Sequence, residues 1–410
     1  PELDPYATGS PLADDAAAVA DRLVRRGHEV HAIAPAPPSL DTERAALARR
    51  LRPLPAPDLG GDFGWRRFDG RTASGVQAHL LRLEDGKQPR ECVGAERFES
   101  FARAALDVVR TLGDAPAWVI AWGDGVGALP VLDAESGAPA ARHVLVLGDA
   151  EDAADPRRAL KAAEHVVVWG MQNRRRWAAR LSAVDKMQAE GRLRSIAAAT
   201  AAAAPLSRTD KRSRKAALQL AAGLPVRADA PLVVLPAVDD LGLELLETAL
   251  RRDVQVVAAA VPGDGKDAPG DGGDRLAALL ERYPDRLAAA PDGRSLDDVL
   301  AAADGAVVTA DPRHTACALA SGAVPVTGPE HAEGIVDLEP ALTSGCGFVA
   351  EGGSVGALDA AVGRLLAAFA RGGAFDALTE RVPRYATTFD SAAALFEVLV
   401  GAREAANGAA

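Results

Sequence analysis

The chain has 410 residues, 48% of them hydrophobic and 25% charged; it is too long for one ordinary core and too apolar to be disordered, so two domains of roughly 150–200 residues are expected. Its 46 basic and 57 acidic residues leave a net charge of −11, which argues against nucleic acid as a partner. Cys92, Cys317 and Cys346 are too few and too scattered for a disulfide framework or a metal knuckle, and no apolar run approaches the roughly 18 residues of a membrane span. A cytoplasmic protein with no membrane partner, no metal and no cofactor is expected. Pro1 is an unusual start and points to residues upstream.

Alanine makes up roughly one residue in five, so helical periodicity is read from the larger apolar residues. Ala13 to Arg26 has a helical pattern that stops at Gly27, where a helix C-cap is expected, and Glu29 to Ala34 reads as a strand. Glu96 to Leu112 repeats the helix and Trp118 to Ala121 the strand; His143 to Leu147 and His165 to Trp169 add two more strands. This alternation predicts a parallel sheet with helical crossovers. From about Gly191 to Arg214 the pattern dissolves into an alanine run and a basic cluster, Arg208, Lys211, Arg212, Arg214 and Lys215, which reads as an inter-domain connection.

The second half repeats the logic. Strands are predicted at Pro231 to Pro236, Val254 to Val261, Ala306 to Thr309 and Val324 to Thr327. Helices are predicted at Leu241 to Arg251, Arg275 to Tyr283, Asp297 to Ala303, His314 to Ser321, Leu358 to Ala370 and Ser391 to Arg403. Pro262 to Gly273, rich in Gly, Asp and Pro, reads as a solvent-facing loop.

The order of these segments, with Glu2-Leu3-Asp4-Pro5-Tyr6-Ala7, Arg25-Arg26-Gly27-His28-Glu29-Val30, Lys215-Ala216-Ala217-Leu218-Gln219, Gly242-Leu243-Glu244-Leu245-Leu246 and Gly345-Cys346-Gly347-Phe348-Val349, resembles the bacterial glycogen and starch synthases over nearly the whole chain. That resemblance implies an α/β fold of the GT-B type, two Rossmann-like domains facing a cleft. It implies an acceptor-side domain over 1–205, a sugar-nucleotide domain over 206–387, and a C-terminal helix, 388–410, returning to the first domain.

The family's chemical residues are mostly missing. Thr8 stands where the family's first Gly-rich turn has its lysine, and Ser10 and Pro11 replace two glycines beside Gly9; proline removes an amide donor from any phosphate cradle. Ile120 and Gly125 stand in place of histidines, and Gly148-Asp149 in place of a His-Asn pair. Pro236 and Leu241 fall where the family has the arginine and lysine that stabilise the leaving diphosphate, a loss of several kcal/mol of barrier per group. Asp311 is the remnant candidate for the family's acid, Asp149 is a second remnant candidate, and Asp14 matches an acidic position near the first turn. The phosphate-cradling Gly-Gly-Leu loop reads His331-Ala332-Glu333-Gly334-Ile335, which sets a carboxylate beside a diphosphate site.

Simpler readings stand beside these. Thr8-Gly9-Ser10 reads as an ordinary helix N-cap as well as an anion seat, and Asp239-Asp240 as a cap for the helix at Leu241. Glu330, His331, Glu333 and His314 have no recognised metal-ligand spacing and read as a solvated loop. Arg174-Arg175-Arg176 between Trp169 and Trp177 reads as a solvated helix face more readily than as an anion or sugar site. Trp65 and Trp122 read as core or wall residues, and the cysteines as small buried apolar groups.

The combined expectation is a pseudo-glycosyltransferase: a glycogen-synthase-like scaffold acting through a protein partner or self-assembly. Nucleotide sugar or glucan remains a possible ligand. The competing expectation is an active retaining glucosyltransferase that moves glucose from ADP-glucose to an α-1,4-glucan, with Asp311 and Asp149 in altered roles.

Overall fold

The structure is a computed structural model that describes residues 11–43, 45–86, 88–92, 94–113, 116–123, 127–137, 139–148, 156–170, 177, 187, 190–197, 199–201, 206–259 and 271–401. The chain forms two compact units, residues 1–196 with 389–410, and residues 197–388. Both are Rossmann-like layers of helix and sheet.

The first unit opens with α1 (Pro11–Arg25), which ends at Gly27 with φ +97°, a conformation glycine adopts without strain. A mixed sheet follows. Strand β1 (His31–Pro35) lies parallel to β5 (Gln77–Asp85), which pairs antiparallel with β4 (Phe63–Arg71); the short β2 (Ala48–Arg49) and β3 (Leu54–Pro55) flank β4, and β6 (Gln88–Arg90) flanks β5. The register sets Trp65 opposite Leu83 and Phe68 opposite Leu80. Trp65 is fully buried and its indole N–H donates to Ser100 Oγ at 3.0 Å on α2 (Ala95–Arg110). The sequence pattern did not show this hairpin, because charged residues break the apolar alternation: Arg66 pairs with Glu84 across it, while Arg67 pairs with Asp69 and Arg82 with Glu84 along single strands.

A second sheet in this unit is wholly parallel, in the order β10 (Leu193–Ile196), β9 (His165–Trp169), β8 (Arg142–Leu147), β7 (Trp118–Trp122). The run Val166-Val167-Val168 is buried completely, as β-branched strands covered on both faces require. Helices α3 (Ala128–Glu135) and α4 (Pro156–Ala162) pack along it. At its amino edge, buried Asp133 accepts from the amides of Ala140 and Ala141 and from His143 Nε2 at 2.8 Å.

The second unit starts with α5 (Arg208–Ala221), capped by Ser207. This corrects the reading of the basic cluster as a connection. Arg208, Lys211, Arg212, Arg214 and Lys215 occupy the first two turns of a helix, and Lys215 lies buried on its inner face. Leu193 to Ile196, also read as connection, is strand β10.

The unit is built on six parallel strands: β11 (Leu232–Leu235), β12 (Gln255–Ala258), β13 (Leu287–Ala289), β14 (Gly305–Val308), β15 (Val324–Thr327) and β16 (Phe348–Val349). They run in the order β13-β12-β11-β14-β15-β16. The crossovers are α6 (Asp240–Ala249), α7 (Asp271–Arg282), α8 (Leu296–Ala302) and α9 (Pro312–Ala320), followed by α10 (Val355–Phe369) and α11 (Gly373–Arg381). This is the doubly wound dinucleotide-binding order, in which the chain reverses direction across the sheet between β11 and β14. The last helix, α12 (Phe389–Gly401), packs on α1 in the first unit, where Arg26 and His28 both reach Glu397.

Candidate functional site

In an open parallel sheet, ligands bind beyond the carboxyl ends of the strands where the strand order reverses. In the second unit that place lies past Leu235 of β11 and Val308 of β14. A nucleotide's phosphates would use the amide groups at the start of the next helices. Here the chain's own carboxylates occupy them.

Asp239 caps α6: its Oδ1 accepts from the Gly242 amide at 2.7 Å and from Thr309 Oγ1, just past β14, at 2.8 Å. One carboxylate oxygen thus ties the two sides of the reversal together. Asp311 caps α9 in the same way, accepting from the Arg313 amide at 2.9 Å. The Arg313 guanidinium folds back on the same carboxylate, Nε to Oδ2 at 3.0 Å. Burial pushes the Asp311 carboxyl up, but the hydrogen bonds from Arg313 outweigh it and hold the group below the usual carboxylate range. Asp311 is therefore an ionised cap with an arginine on it, and the arginine is engaged.

The loop after β15 repeats the theme. Glu330 folds its carboxylate into the space that a side chain on Gly328 would need, and lies 3.1 Å from where a Cβ on Gly353 would sit. Exposed backbone at paired glycines is what a phosphate cradle needs; a glutamate fills it. His331 is tied to α9 through its carbonyl, which accepts from Thr315 Oγ1 at 2.9 Å. Burial lowers the His314 pKa; Asp311 opposes that fall, while Arg313 and His331 reinforce it, so the ring is neutral near pH 7.

The sequence-predicted residues divide accordingly. Asp311 and His331 meet around α9. Glu333 is half-buried in the same loop, and Gly334 is an exposed turn with φ +74°, beside which Cys346 Sγ accepts from the Val336 amide at 3.3 Å. Among the described residues, no group of His, Cys, Asp and Glu has metal-binding geometry. Pro236 is buried, and Leu241 packs on the core of this unit. Thr8, Gly9, Ser10 and Asp149 lie outside the described residues, as do Gly125 and Arg174 to Arg176.

In the first unit Asp14 sits in the first turn of α1, where an acid suits the helix dipole. The engaged acid is its neighbour. Asp15 is buried and accepts from the Trp169 indole at 2.8 Å; Trp169 packs 4.7 Å from Trp122, which lies 5.6 Å from Phe396 of α12. Trp177 is wholly buried, donating to the Gly148 carbonyl at 2.9 Å. These indoles are wall and core groups. Sequence reasoning missed Asp15 because helical phase alone separates it from Asp14. It missed Thr309 because nothing local marks a threonine that bonds a residue 70 positions away.

Among the described residues, no helix is long and apolar enough to cross a membrane. No family model matches the sequence, and no curated protein matches it. Solved structures do. The chain is similar to a glycosyltransferase from Rickettsia africae ESF-5, with 12% identity and a TM-score of 0.59 over 95% of this chain and 93% of that one. It also matches CalG4, the calicheamicin glycosyltransferase, with 16% identity and a TM-score of 0.46 over 95% of each chain. SnogD from Streptomyces nogalater is 17% identical with a TM-score of 0.45 over 97% of each chain. At such identities the likeness is one of architecture, and it rests on the Rickettsia structure: the chain has the GT-B glycosyltransferase fold.

Proposed function

We propose that this chain is a catalytically degenerate glycosyltransferase of the glycogen-synthase type, which acts by binding, as a regulatory, scaffold or assembly component with a protein partner or another copy of itself. The reading rests on the carboxyl edge of the second unit. Asp239, Asp311 and Glu330 place three carboxylates against helix starts and glycine backbone that would otherwise meet a diphosphate, and Arg313 is paired to one of them. A departing diphosphate needs cations and free amides, and removing such stabilisation typically costs several kcal/mol of barrier per group. Pro236 and Leu241 stand where the resemblance calls for an arginine and a lysine.

The test is titration calorimetry of the protein with ADP, ADP-glucose and UDP-glucose at millimolar concentration, with glucose release and glucan elongation followed in the same samples. We expect no turnover, and binding no tighter than millimolar. Glucan elongation dependent on either nucleotide sugar would overturn the proposal. As an internal control, replacing Asp239 and Asp311 by serine keeps a capping oxygen at both helices while removing two negative charges. ADP should then bind at least tenfold more tightly if those carboxylates occupy the anion seat.

A further inference from the structure

At one corner of the mixed sheet in the first unit, four side chains form a single line of polar contacts. Asp69 of β4 accepts from His79 Nδ1 of β5 at 2.8 Å, and His79 Nε2 lies 2.9 Å from His31 Nδ1 of β1. His31 Nε2 lies 3.2 Å from Glu29 Oε1, which also accepts from Gln77 Nε2 at 2.8 Å. His79 is buried, His31 half-buried and Glu29 exposed, so protons reach the line from the Glu29 end. The strand it ties down has little else to hold it. β1 ends the order of its sheet, pairs with β5 alone among the described residues, and is half-buried along its whole length. Such a strand opens locally at less cost than one inside a sheet.

We propose that His31 and His79 form a proton-operated latch, which holds β1 on β5 while the pair carries at most one added proton and releases it when the pair takes a second.

The reason is a count of nitrogens. Burial pushes the Asp69 carboxyl up, but hydrogen bonds from His79, Arg67 and Arg50 outweigh it and hold the group below the usual carboxylate range. Asp69 is therefore ionised, only accepts, and fixes the proton of neutral His79 on Nδ1. His79 Nε2 is then an acceptor and takes the Nδ1–H of His31. One added proton sits on His31 Nε2 and donates to Glu29, and every nitrogen in the line has a partner. A second has only His79 Nε2 left, where it meets the His31 N–H head-on across 2.9 Å with both rings charged. The neighbouring cations do not relieve this. Arg67 bonds Asp69 at 2.6 Å and lies 3.2 Å from His79 Nδ1, Arg50 shares Asp69, and Arg71 turns to the Gly75 carbonyl at 3.1 Å. Burial lowers the His79 pKa; Asp69 opposes the fall, while Arg67 and His31 reinforce it. The closed form thus excludes the second proton. Its advantage is fully present above the free imidazole value of about 6.5 and is lost as pH falls through the lower closed value. Once β1 separates, both rings take protons in water.

The experiment follows backbone hydrogen exchange of the intact chain from about pH 7 to about pH 5 by peptide mass spectrometry, each rate divided by the intrinsic rate at that pH. Protection of His31–Pro35 should fall roughly tenfold, because opening takes up one proton across this interval. Protection of α2, which packs on the same sheet and carries no histidine, should fall several times less. His31→Phe keeps a flat ring beside His79 and removes one protonation site, so its β1 protection should fall by less than about threefold. No fall in the parent protein, an equal fall in His31→Phe, or an equal fall in α2 would overturn the latch. Imidazole nitrogen NMR of the parent protein gives a reading that does not depend on the variant. The two rings should titrate in two coupled steps with His79 Nε2 the last to protonate, and two independent single-site curves would overturn the proposal.

Discussion

The two edges of the second unit's sheet are built from the same kinds of side chain and do opposite things with them. At the amino edge the buried polar groups are matched inside the fold: Lys215 with Asp304, which also accepts from the Leu232 amide at 2.8 Å, and Gln219 with Gln255 at 2.5 Å. At the carboxyl edge Asp239 and Asp311 cap helices, and Arg313 balances one of them. The first edge holds the scaffold together through a buried ion pair. The second lies where the strand order reverses, the place at which open parallel sheets bind ligands. The same side-chain chemistry thus closes one edge by pairing and the other by helix capping.

The contrast can be broken most severely at Asp304. Asp304→Asn leaves the Lys215 ammonium buried without its counter-charge, and stability measured by chemical denaturation should fall by about 3–5 kcal/mol. A loss below about 1 kcal/mol would mean that the pair is not the keystone of that edge. At the other edge the expected effect is smaller. Asp239→Ala removes the α6 cap and the Thr309 bond, and should cost about 1–2 kcal/mol, read from the same denaturation curves; a cost equal to that at Asp304 would erase the distinction between the edges.

Acidification should give the smallest effect. Burial holds His314 below 6.5, so its neutral form is favoured by folding. That contribution is fully present above the unfolded value near 6.5 and is lost as pH falls through the lower folded value. Asp311, also depressed, adds a second loss below its unfolded value near 3.8. The pH profile of melting temperature should therefore decline in two stages on the acid side. His314→Asn should weaken the first stage without abolishing it, since burial lowers His79 as well, and a profile identical to that of the parent protein would remove His314 from this account.

The Rossmann-like parts were legible because their strands are short apolar runs between helices with clear stops. His165 to Trp169 and Val324 to Thr327 occupy in the structure the positions read from the sequence. The β4–β5 hairpin was not legible, since charged residues such as Arg66 and Glu84, paired across it, interrupt the period-2 pattern of its buried apolar residues. Helix α5 was missed for a related reason. Its first two turns carry five basic residues, and only the fold reveals that Lys215 faces inward. At the candidate site, the capping role of Asp239 followed from its place before an apolar helix. Its link to Thr309 did not, because it joins residues brought together only when β14 inserts beside β11.

Insertion of β14 also sets an order of events in time. Asp304 is separated by 89 residues from Lys215 and by 72 from Leu232, whereas β11, β12 and β13 follow one another directly along the chain and lie side by side. Closing the longer loops costs more entropy and slows the step that makes them. Half of the sheet can thus assemble early, with Lys215 still in water, and the ion pair closes only when β14 docks against β11. Until that moment the nascent unit exposes the open edge of β11, so the interval before docking is when a newly made chain is most exposed to aggregation.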